Sequence, residues 1–119
     1  MEFDFWEDSR GVSPVEEFIR QQNNPEDVTK RIDRLEKYFL KQLLRAEKVK
    51  SFGWVKKDYG FSLFELIPDD NRIFFVVLVG TEQAKLIHAF RKKGNKTPQR
   101  EVCKALKIAL ILKQQYPLI

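Results

Sequence analysis

The sequence predicts an α+β fold with a mostly antiparallel sheet, because its strand-like segments are grouped together instead of alternating with helices. Residues 24–48 carry apolar side chains at three- and four-residue steps, which is typical of a helix. Apolar, β-branched and aromatic runs dominate residues 61–91, and another amphipathic helix follows them. A chain of 119 residues fits a single domain, which we expect to span residues 1–119.

The N-terminal part is predicted to form a short strand and then a helical hairpin. In the stretch EFDFW, alternation puts Phe3 and Phe5 on one face of the strand. Ser13 precedes a proline and is suited to cap the first helix, and Asn24 begins the longer helix with the same pattern. The longer helix would bury a stripe of apolar residues: Val28, Ile32, Leu35, Phe39, Leu43 and Ala46.

The middle of the chain is predicted to form strands. Residues 53–68, GWVKKDYGFSLFELIP, are aromatic and β-branched with glycines as punctuation. FSLFELI and RIFFVVLVG flank PDDN, which is turn chemistry typical of a hairpin. Because RIFFVVLV is apolar on both faces, we expect a central strand that is covered at least in part on both sides. AKLIHAFR supplies another strand, which makes three or four strands after the helical hairpin.

The C-terminal helix is predicted to start with Thr97 as its N-cap and Pro98 in its first turn. Cys103 lies beside the apolar face of this helix, and we expect it to be a small core residue. The apolar face itself consists of Val102, Ala105, Leu106, Ala109 and Leu112.

Composition excludes several classes of function. One histidine and one cysteine cannot supply the usual set of soft metal ligands, so the sequence predicts no metal site, and it shows no cofactor motif. No apolar run approaches the length of a membrane helix, and the acidic, aromatic N-terminus lacks the features of a signal peptide. A single cysteine forms no internal disulfide, so a cytoplasmic setting is expected.

Positive charge is concentrated in the last quarter of the chain. The net charge is only +5, but residues 91–113 carry eight basic side chains against one acid, Glu101. Such a cluster attracts nucleic acid or an acidic partner, although a solvated helix face would have the same composition. The basic residues are Arg91, Lys92, Lys93, Lys96, Arg100, Lys104, Lys107 and Lys113.

Basic side chains without a conventional catalytic triad suit the cleavage of RNA. RNA carries its own nucleophile, the 2′-hydroxyl group next to the scissile phosphate. An enzyme that cleaves it has to position the strand and stabilise the charge that develops on the phosphorus, which arginine and lysine can do. Arginine is favoured because its planar fork matches two phosphate oxygens.

Several motifs resemble the RelE/ParE toxin superfamily in its phage-derived, HigB-like branch. They are Glu65-Leu66 in one strand, Arg72-Ile73-Phe74 in the next, and LIHAFRKKGNKTP from Leu86 to Pro98, together with the opening SPVEEFI. The resemblance covers nearly the whole chain, and FRKKGNKTP is its most specific part. It implies a microbial-RNase-like fold, and a toxin of a type II toxin–antitoxin pair. Its partners would be a cognate antitoxin, often a helix-turn-helix protein, and mRNA on the translating ribosome.

The resemblance and the chemistry of the side chains together give the residues that are expected to act on RNA. Arg72 matches the arginine that is implied to contact the scissile phosphate. The candidate catalytic residues are Arg72, Arg91, His88 and Tyr116, and the candidate RNA-binding residues are Lys92, Lys93, Lys96 and Arg100. At one position the chain departs from the family pattern, because Ile67 stands where the family has a basic residue.

Each candidate also has a structural interpretation. Arg72 could pair with Asp69 or Asp70, and Tyr116 could pack against the sheet. His88 alternates with Leu86 and Phe90, which favours a half-buried histidine.

Alternation also divides the basic cluster. Arg91 and Lys93 point one way and Lys92 the other, and we expect Arg91 and Lys93 to lie next to the sheet that carries Arg72. Glu65 could accept a proton, but an ion pair with a nearby lysine is favoured.

Three functions remain open from the residues and the resemblance. The first is a ribosome-dependent mRNA endonuclease that inhibits translation. The second is an inhibitor of DNA gyrase with the same fold, as in ParE relatives. The third is a nucleic-acid-binding relative with weakened catalysis. Ile67 in place of a basic residue gives some support to the second and the third.

Overall fold

The sheet and its helices are seen in a computed structural model that describes residues 2–22, 24–30, 32–33, 49–67, 70–80, 83–92, 94 and 96–119. The strands are β1 (Glu2–Phe5), β2 (Val49–Ser51), β3 (Phe64–Leu66), β4 (Asn71–Val77) and β5 (Gln83–Arg91). The helices are α1 (Pro14–Arg20), α2 (residues 25–30 and 32–33), α3 (Gly53–Tyr59) and α4 (Gln99–Gln115). Within these ranges, no helix combines the length and the apolar character needed to cross a membrane.

The five strands form one mixed sheet in the order β1-β5-β4-β3-β2. Neighbours from β2 to β5 are antiparallel, and β1 adds to the edge of β5 in parallel. This arrangement confirms the predicted α+β class with a mostly antiparallel sheet, and it is compatible with a RelE-like fold. The predicted hairpin is formed by β3 and β4, with Leu66 opposite Ile73.

Each face of the sheet carries its own hydrophobic core. Helices α1 and α2 cover one face, hereafter the α1 face, where Val15 and Val28 pack with Phe75 and Leu86 of the sheet. Helices α3 and α4 cover the other, hereafter the α4 face. Strand β4 alternates between the two cores as predicted: Ile73, Phe75 and Val77 belong to the α1 face, and Phe74 and Val76 to the α4 face.

The N-terminal helices begin as their sequences predict. Ser13 is the N-cap of α1, where its hydroxyl oxygen accepts a hydrogen bond from the backbone N–H of Glu16 at 3.1 Å. In α2, Val28 and Ile32 are buried in the core of the α1 face. The remaining predicted core positions of that helix, Leu35, Phe39, Leu43 and Ala46, lie outside the described residues.

A β-bulge between β4 and β5 changes the predicted alternation. Phe74 pairs with His88 while Phe75 pairs with Leu86, so Ile87 is an extra residue on β5. Leu86 packs in the core of the α1 face, whereas Ile87 packs in the core of the α4 face. The expectation that His88 shares a face with Leu86 is therefore wrong. It shares one with Phe90, as expected.

Residues 53–59 form helix α3, so the strand-like interpretation of the GWVKKDY stretch is wrong. Gly60 ends this helix with a φ of 79°, a left-handed conformation that glycine adopts at little cost. Only Val55 of the helix is buried, and it packs in the core of the α4 face.

Two expectations for α4 are also corrected. Cys103 is exposed, because the helix directs Val102, Ala105 and Leu106 towards the sheet and Cys103 away from it. Pro98, not Thr97, occupies the N-cap position, and no side chain caps the helix there.

Candidate functional site

The candidate site lies on the α4 face, where β4 begins and β5 ends. Arg72 is the second residue of β4, and its cross-strand partner is Phe90. Glu65 on β3 is paired with Phe74 of β4, so it is one strand away from Arg72 on the same face. The loop that leads into α4 covers this corner of the sheet through Thr97, whose side chain contacts Glu65.

Glu65 is a fully buried carboxylate that organises the site. Its side chain is 0% exposed, and its Oε2 accepts a hydrogen bond from the Thr97 hydroxyl at 2.9 Å. Its Oε1 lies 4.0 Å from Arg72 Nε and accepts no hydrogen bond from any described residue. A buried carboxylate requires a compensating charge, and Arg72 provides it. The predicted pairing of Glu65 with a lysine is replaced by this contact with an arginine.

The Arg72 side chain contacts Glu65 and also the backbone of its own strand. Its Nε faces Glu65, and its Nη1 donates a hydrogen bond to the backbone carbonyl of Asn71 at 2.7 Å. The side chain is 13% exposed, so the guanidinium group lies at the boundary between the core and solvent. A fixed and partly desolvated guanidinium interacts more strongly with an anion than a mobile surface arginine does.

Lys92, a member of the basic cluster, lies on the same face as Arg72. Arg72 is paired with Phe90 and Asn71 with Arg91, so Phe90 shares the face of Arg72 and Arg91 shares that of Asn71. Two residues beyond Phe90, Lys92 points to the Arg72 side, and its backbone N–H donates to the carbonyl of Asp70 at 2.8 Å.

Arg91 therefore lies on the opposite face from Arg72, and the expected placement of Arg91 next to it is corrected. Arg91 and Lys92 lie on opposite faces, as alternation predicts. The pairing of β4 with β5 shows that Lys92, and not Arg91, lies on the face of Arg72. Lys93 lies outside the described residues.

The environment of Lys92 disfavours its positive charge. Burial lowers the pKa of the Lys92 ammonium group below 10.5, and the charges of Arg72 and Lys50 lower this pKa further. The carboxylate of Glu65 acts in the opposite direction but is the smallest of the four effects. At Lys92, the effects of two neighbouring cations, Arg72 and Lys50, thus outweigh that of one carboxylate, Glu65.

The pKa shift of Lys92 predicts a pH-dependent stability. The folded protein loses the Lys92 proton at a lower pH than the unfolded chain, so the unfolded chain binds more protons between the lowered pKa and 10.5. Stability from this group therefore increases as pH rises through that window. Relative to Lys92→Gln, the wild type should gain free energy of unfolding as pH approaches 10.5 in urea titrations. The difference should stay constant below the window. A constant difference throughout would contradict the shift.

His88 forms a separate contact with the first turn of α4. Its Nε2 lies 2.5 Å from Glu101 Oε2, and its ring stacks on Phe74 with centroids 6.0 Å apart. Its side chain is half-buried, which agrees with the structural interpretation. Because His88 is paired with Phe74 and Arg72 with Phe90, the two are offset by about two residues along the strands, or about 7 Å. His88 thus fixes α4 against β5 beside the site.

The remaining candidates lie at the rim or away from the site. Lys96 is exposed in the loop next to Thr97. Arg100 is exposed on α4, with its Nε 3.8 Å from Glu101 Oε1. Tyr116 follows the 17 residues of α4, so it lies about 25 Å from the start of the helix. The structure does not bring Tyr116 to Arg72, and places it beside Trp6 and Lys85 instead.

Sequence reasoning missed Lys50. It lies on β2, and its cross-strand partner is Glu65. The strand has only three residues and follows the long predicted helix, so no local pattern marked Lys50 as part of a sheet. The sequence shows that Lys50 is basic, but it does not show that Lys50 lies opposite Glu65.

The chain matches a known protein family. The model of the family described as phage derived protein Gp49-like (DUF891) matches residues 20–109, which is about three quarters of the chain. The chain belongs to the Gp49-like family. This is a family of RelE/HigB-type toxins of toxin–antitoxin systems. A search of curated proteins finds no match.

The part of the chain that matches the Gp49-like family contains the candidate site. Glu65, Arg72, His88 and Lys92 all lie within residues 20–109, and so does Thr97. Tyr116 lies outside the matched residues, as well as away from Arg72. Among the residues that the structure describes, no group of histidine, cysteine and acidic side chains could hold a metal ion.

Proposed function

We propose that this Gp49-like protein is the toxin of a toxin–antitoxin pair and acts as a ribosome-dependent mRNA endonuclease. The observation that carries the proposal is the guanidinium of Arg72, held between the buried carboxylate of Glu65 and the Asn71 carbonyl on a face with excess positive charge. Such an arrangement is suited to bind a phosphodiester and to stabilise additional negative charge on it.

The proposed reaction takes its nucleophile from the substrate. The 2′-oxygen of RNA attacks the adjacent phosphorus and loses its proton to solvent or to a ribosomal group. The bond from phosphorus to the 5′-oxygen breaks, and this oxygen takes up a proton. The products are a 2′,3′-cyclic phosphate and a 5′-hydroxyl end. In the transition state the phosphorane oxygens carry extra charge, which Arg72 stabilises with its fork and Lys92 with its ammonium group.

The protein supplies mainly positioning and charge in this mechanism. Glu65 is fully buried and bonded to Thr97, so it acts as a positioning residue for Arg72 and not as a base that reaches RNA. The Nε2 atom of His88 is engaged by Glu101, so His88 positions α4. Reliance on an external scaffold to orient the mRNA fits a requirement for the ribosome, because orientation alone can contribute a large part of the rate.

A cognate antitoxin is the expected protein partner, since the family consists of toxins of toxin–antitoxin systems. We further propose that Lys96 and Arg100 at the rim bind RNA next to Arg72 and Lys92. Both are exposed on the segment that leads into α4 or on its first turn, where backbone amides also favour an anion.

Mapping mRNA 5′ ends in cells tests the proposed function. Expression from a tightly controlled promoter should produce new 5′ ends that are phased with the reading frame and disappear when translation initiation is blocked. Toxicity accompanied by trapped gyrase and DNA breaks, without new mRNA ends, would contradict the proposal and favour a gyrase inhibitor.

A further inference from the structure

Lys50 lies on the edge strand β2, directly opposite Glu65 of β3. The side chain of Glu65 points to the α4 face, because its two carboxylate oxygens lie near Thr97 and Arg72. Directly paired residues of an antiparallel sheet project to the same face, with Cβ atoms about 4.5–5.5 Å apart. Lys50 therefore projects to the α4 face as well, and it is exposed there.

Three strands thus bring cations to one corner of the sheet. Lys50 comes from β2, Arg72 from the start of β4, and Lys92 from the end of β5. Glu65 is the carboxylate between them, and it is already engaged by Thr97 and Arg72. Burial contributes most to the lowered pKa of Lys92, and the charges of Arg72 and Lys50 lower this pKa further, as expected for groups of like charge. Positive groups that repel one another in the free protein are relieved when an anion binds.

The spacing of the strands separates Lys50 from Arg72. Neighbouring strands lie about 4.8 Å apart, and β3 lies between β2 and β4, so the two backbones are about 10 Å apart. One phosphate group held against the Arg72 guanidinium would not be centred on Lys50. A single strand of nucleic acid, in contrast, presents a series of charged phosphates that can follow the surface from one cation to the next.

We propose that Lys50 binds a phosphate of the RNA strand, next to the phosphate that Arg72 holds. Lys50, Arg72 and Lys92 would then form one RNA-binding track, to which β2 contributes although none of the sequence motifs includes it. The proposal rests on the proposed function, because it takes single-stranded RNA as the ligand. Lys50 binds RNA and takes no part in the chemical step. It adds charge from an edge strand next to β3, where Ile67 supplies none.

The test measures RNA binding by the full chain as a function of salt. The probe is a fluorescently labelled RNA oligonucleotide with 2′-O-methyl groups at every position, which cannot be cleaved through its 2′-oxygens. Lys50→Ala should weaken binding and should reduce the magnitude of the slope of log affinity against log salt by about 0.7, the value for one phosphate contact to a single strand. Lys50→Arg keeps the positive charge and should retain most of the wild-type slope.

A matched lysine variant provides the control. Lys30 is exposed on α2, which covers the opposite face of the sheet, so Lys30→Ala should leave the slope unchanged. A slope for Lys50→Ala equal to that of Lys30→Ala would overturn the proposal, as would the absence of RNA binding by the wild type at low salt.

The two proposals fail in different ways. If mRNA ends phased with the reading frame are found but Lys50→Ala binds RNA like the wild type, the role of Lys50 is contradicted and the proposed nuclease activity is supported. If Lys50→Ala reduces the slope of log affinity against log salt but no mRNA ends are produced, RNA binding by Lys50 is supported and the proposed nuclease activity is contradicted.

Discussion

Arg72→Ala should reduce the rate of mRNA cleavage by about 100- to 1,000-fold, the loss that follows the removal of one preorganised donor to a developing negative charge. Glu65 and the Asn71 carbonyl orient the guanidinium before RNA binds. Water or a neighbouring lysine that replaced it in the variant would lack this orientation. The measurement is the initial rate of cleavage of a defined mRNA on purified ribosomes. In cells, the same variant should be expressed without growth arrest.

Two further variants separate charge from folding. Arg72→Lys keeps one positive charge but loses the planar fork, and its rate should fall between those of the wild type and Arg72→Ala. Arg20 is exposed on α1 and pairs only with Glu16 among the described residues, so Arg20→Ala should retain the wild-type rate. A folded Arg72→Ala protein that cleaves as fast as Arg20→Ala would remove Arg72 from the mechanism.

Glu65→Ala should lower the free energy of unfolding by about 3–5 kcal/mol, the cost of removing one partner of a buried ion pair. Arg72, whose side chain is 13% exposed, loses the carboxylate that compensates its charge, and the Thr97 hydroxyl loses the acceptor of its hydrogen bond. The loss should also loosen the loop that leads into α4. Urea denaturation followed by circular dichroism measures the effect.

The size of the Glu65 effect can be checked with one milder and one remote substitution. Glu65→Gln keeps the shape and an acceptor for Thr97, so it should destabilise less than Glu65→Ala while still reducing cleavage through a less restrained Arg72. Glu7 is an exposed acid, and Glu7→Ala should change the free energy of unfolding by no more than about 0.5 kcal/mol. Equal stability of Glu65→Ala and Glu7→Ala would show that the buried pair is not structural.

The parts of the fold that follow local patterns could be predicted from the sequence. The cap at Ser13, the β3–β4 hairpin and the two-sided burial of β4 each depend on residues close together in the chain. Helix α3 could have been found from Gly60, because a glycine after a short polar and apolar segment is a common helix terminator. Aromatic and β-branched residues are also typical of strands, so composition alone does not distinguish a helix from a strand in that segment.

The details of the site depend on pairing between strands, which no local pattern reveals. Alternation separated Lys92 from Arg91, but only the pairing of Asn71 with Arg91 shows that Lys92 is the neighbour of Arg72. The bulge at Ile87 changes the partners of His88 in the same way. Lys50 joins the site through a three-residue edge strand, whose position is defined by β3 alone.

Reconstitution with purified components shows whether the protein itself cleaves mRNA on the ribosome. The protein is incubated with ribosomes that carry a defined mRNA, and with the same mRNA alone, and both ends of every fragment are characterised. We expect fragments with 5′-hydroxyl ends and 2′,3′-cyclic phosphate ends, or 3′-phosphate ends where water has opened the cyclic ester. They should form only with ribosomes present and should be lost in Arg72→Ala. Intact mRNA on ribosomes exposed to a folded protein that still arrests growth would contradict it.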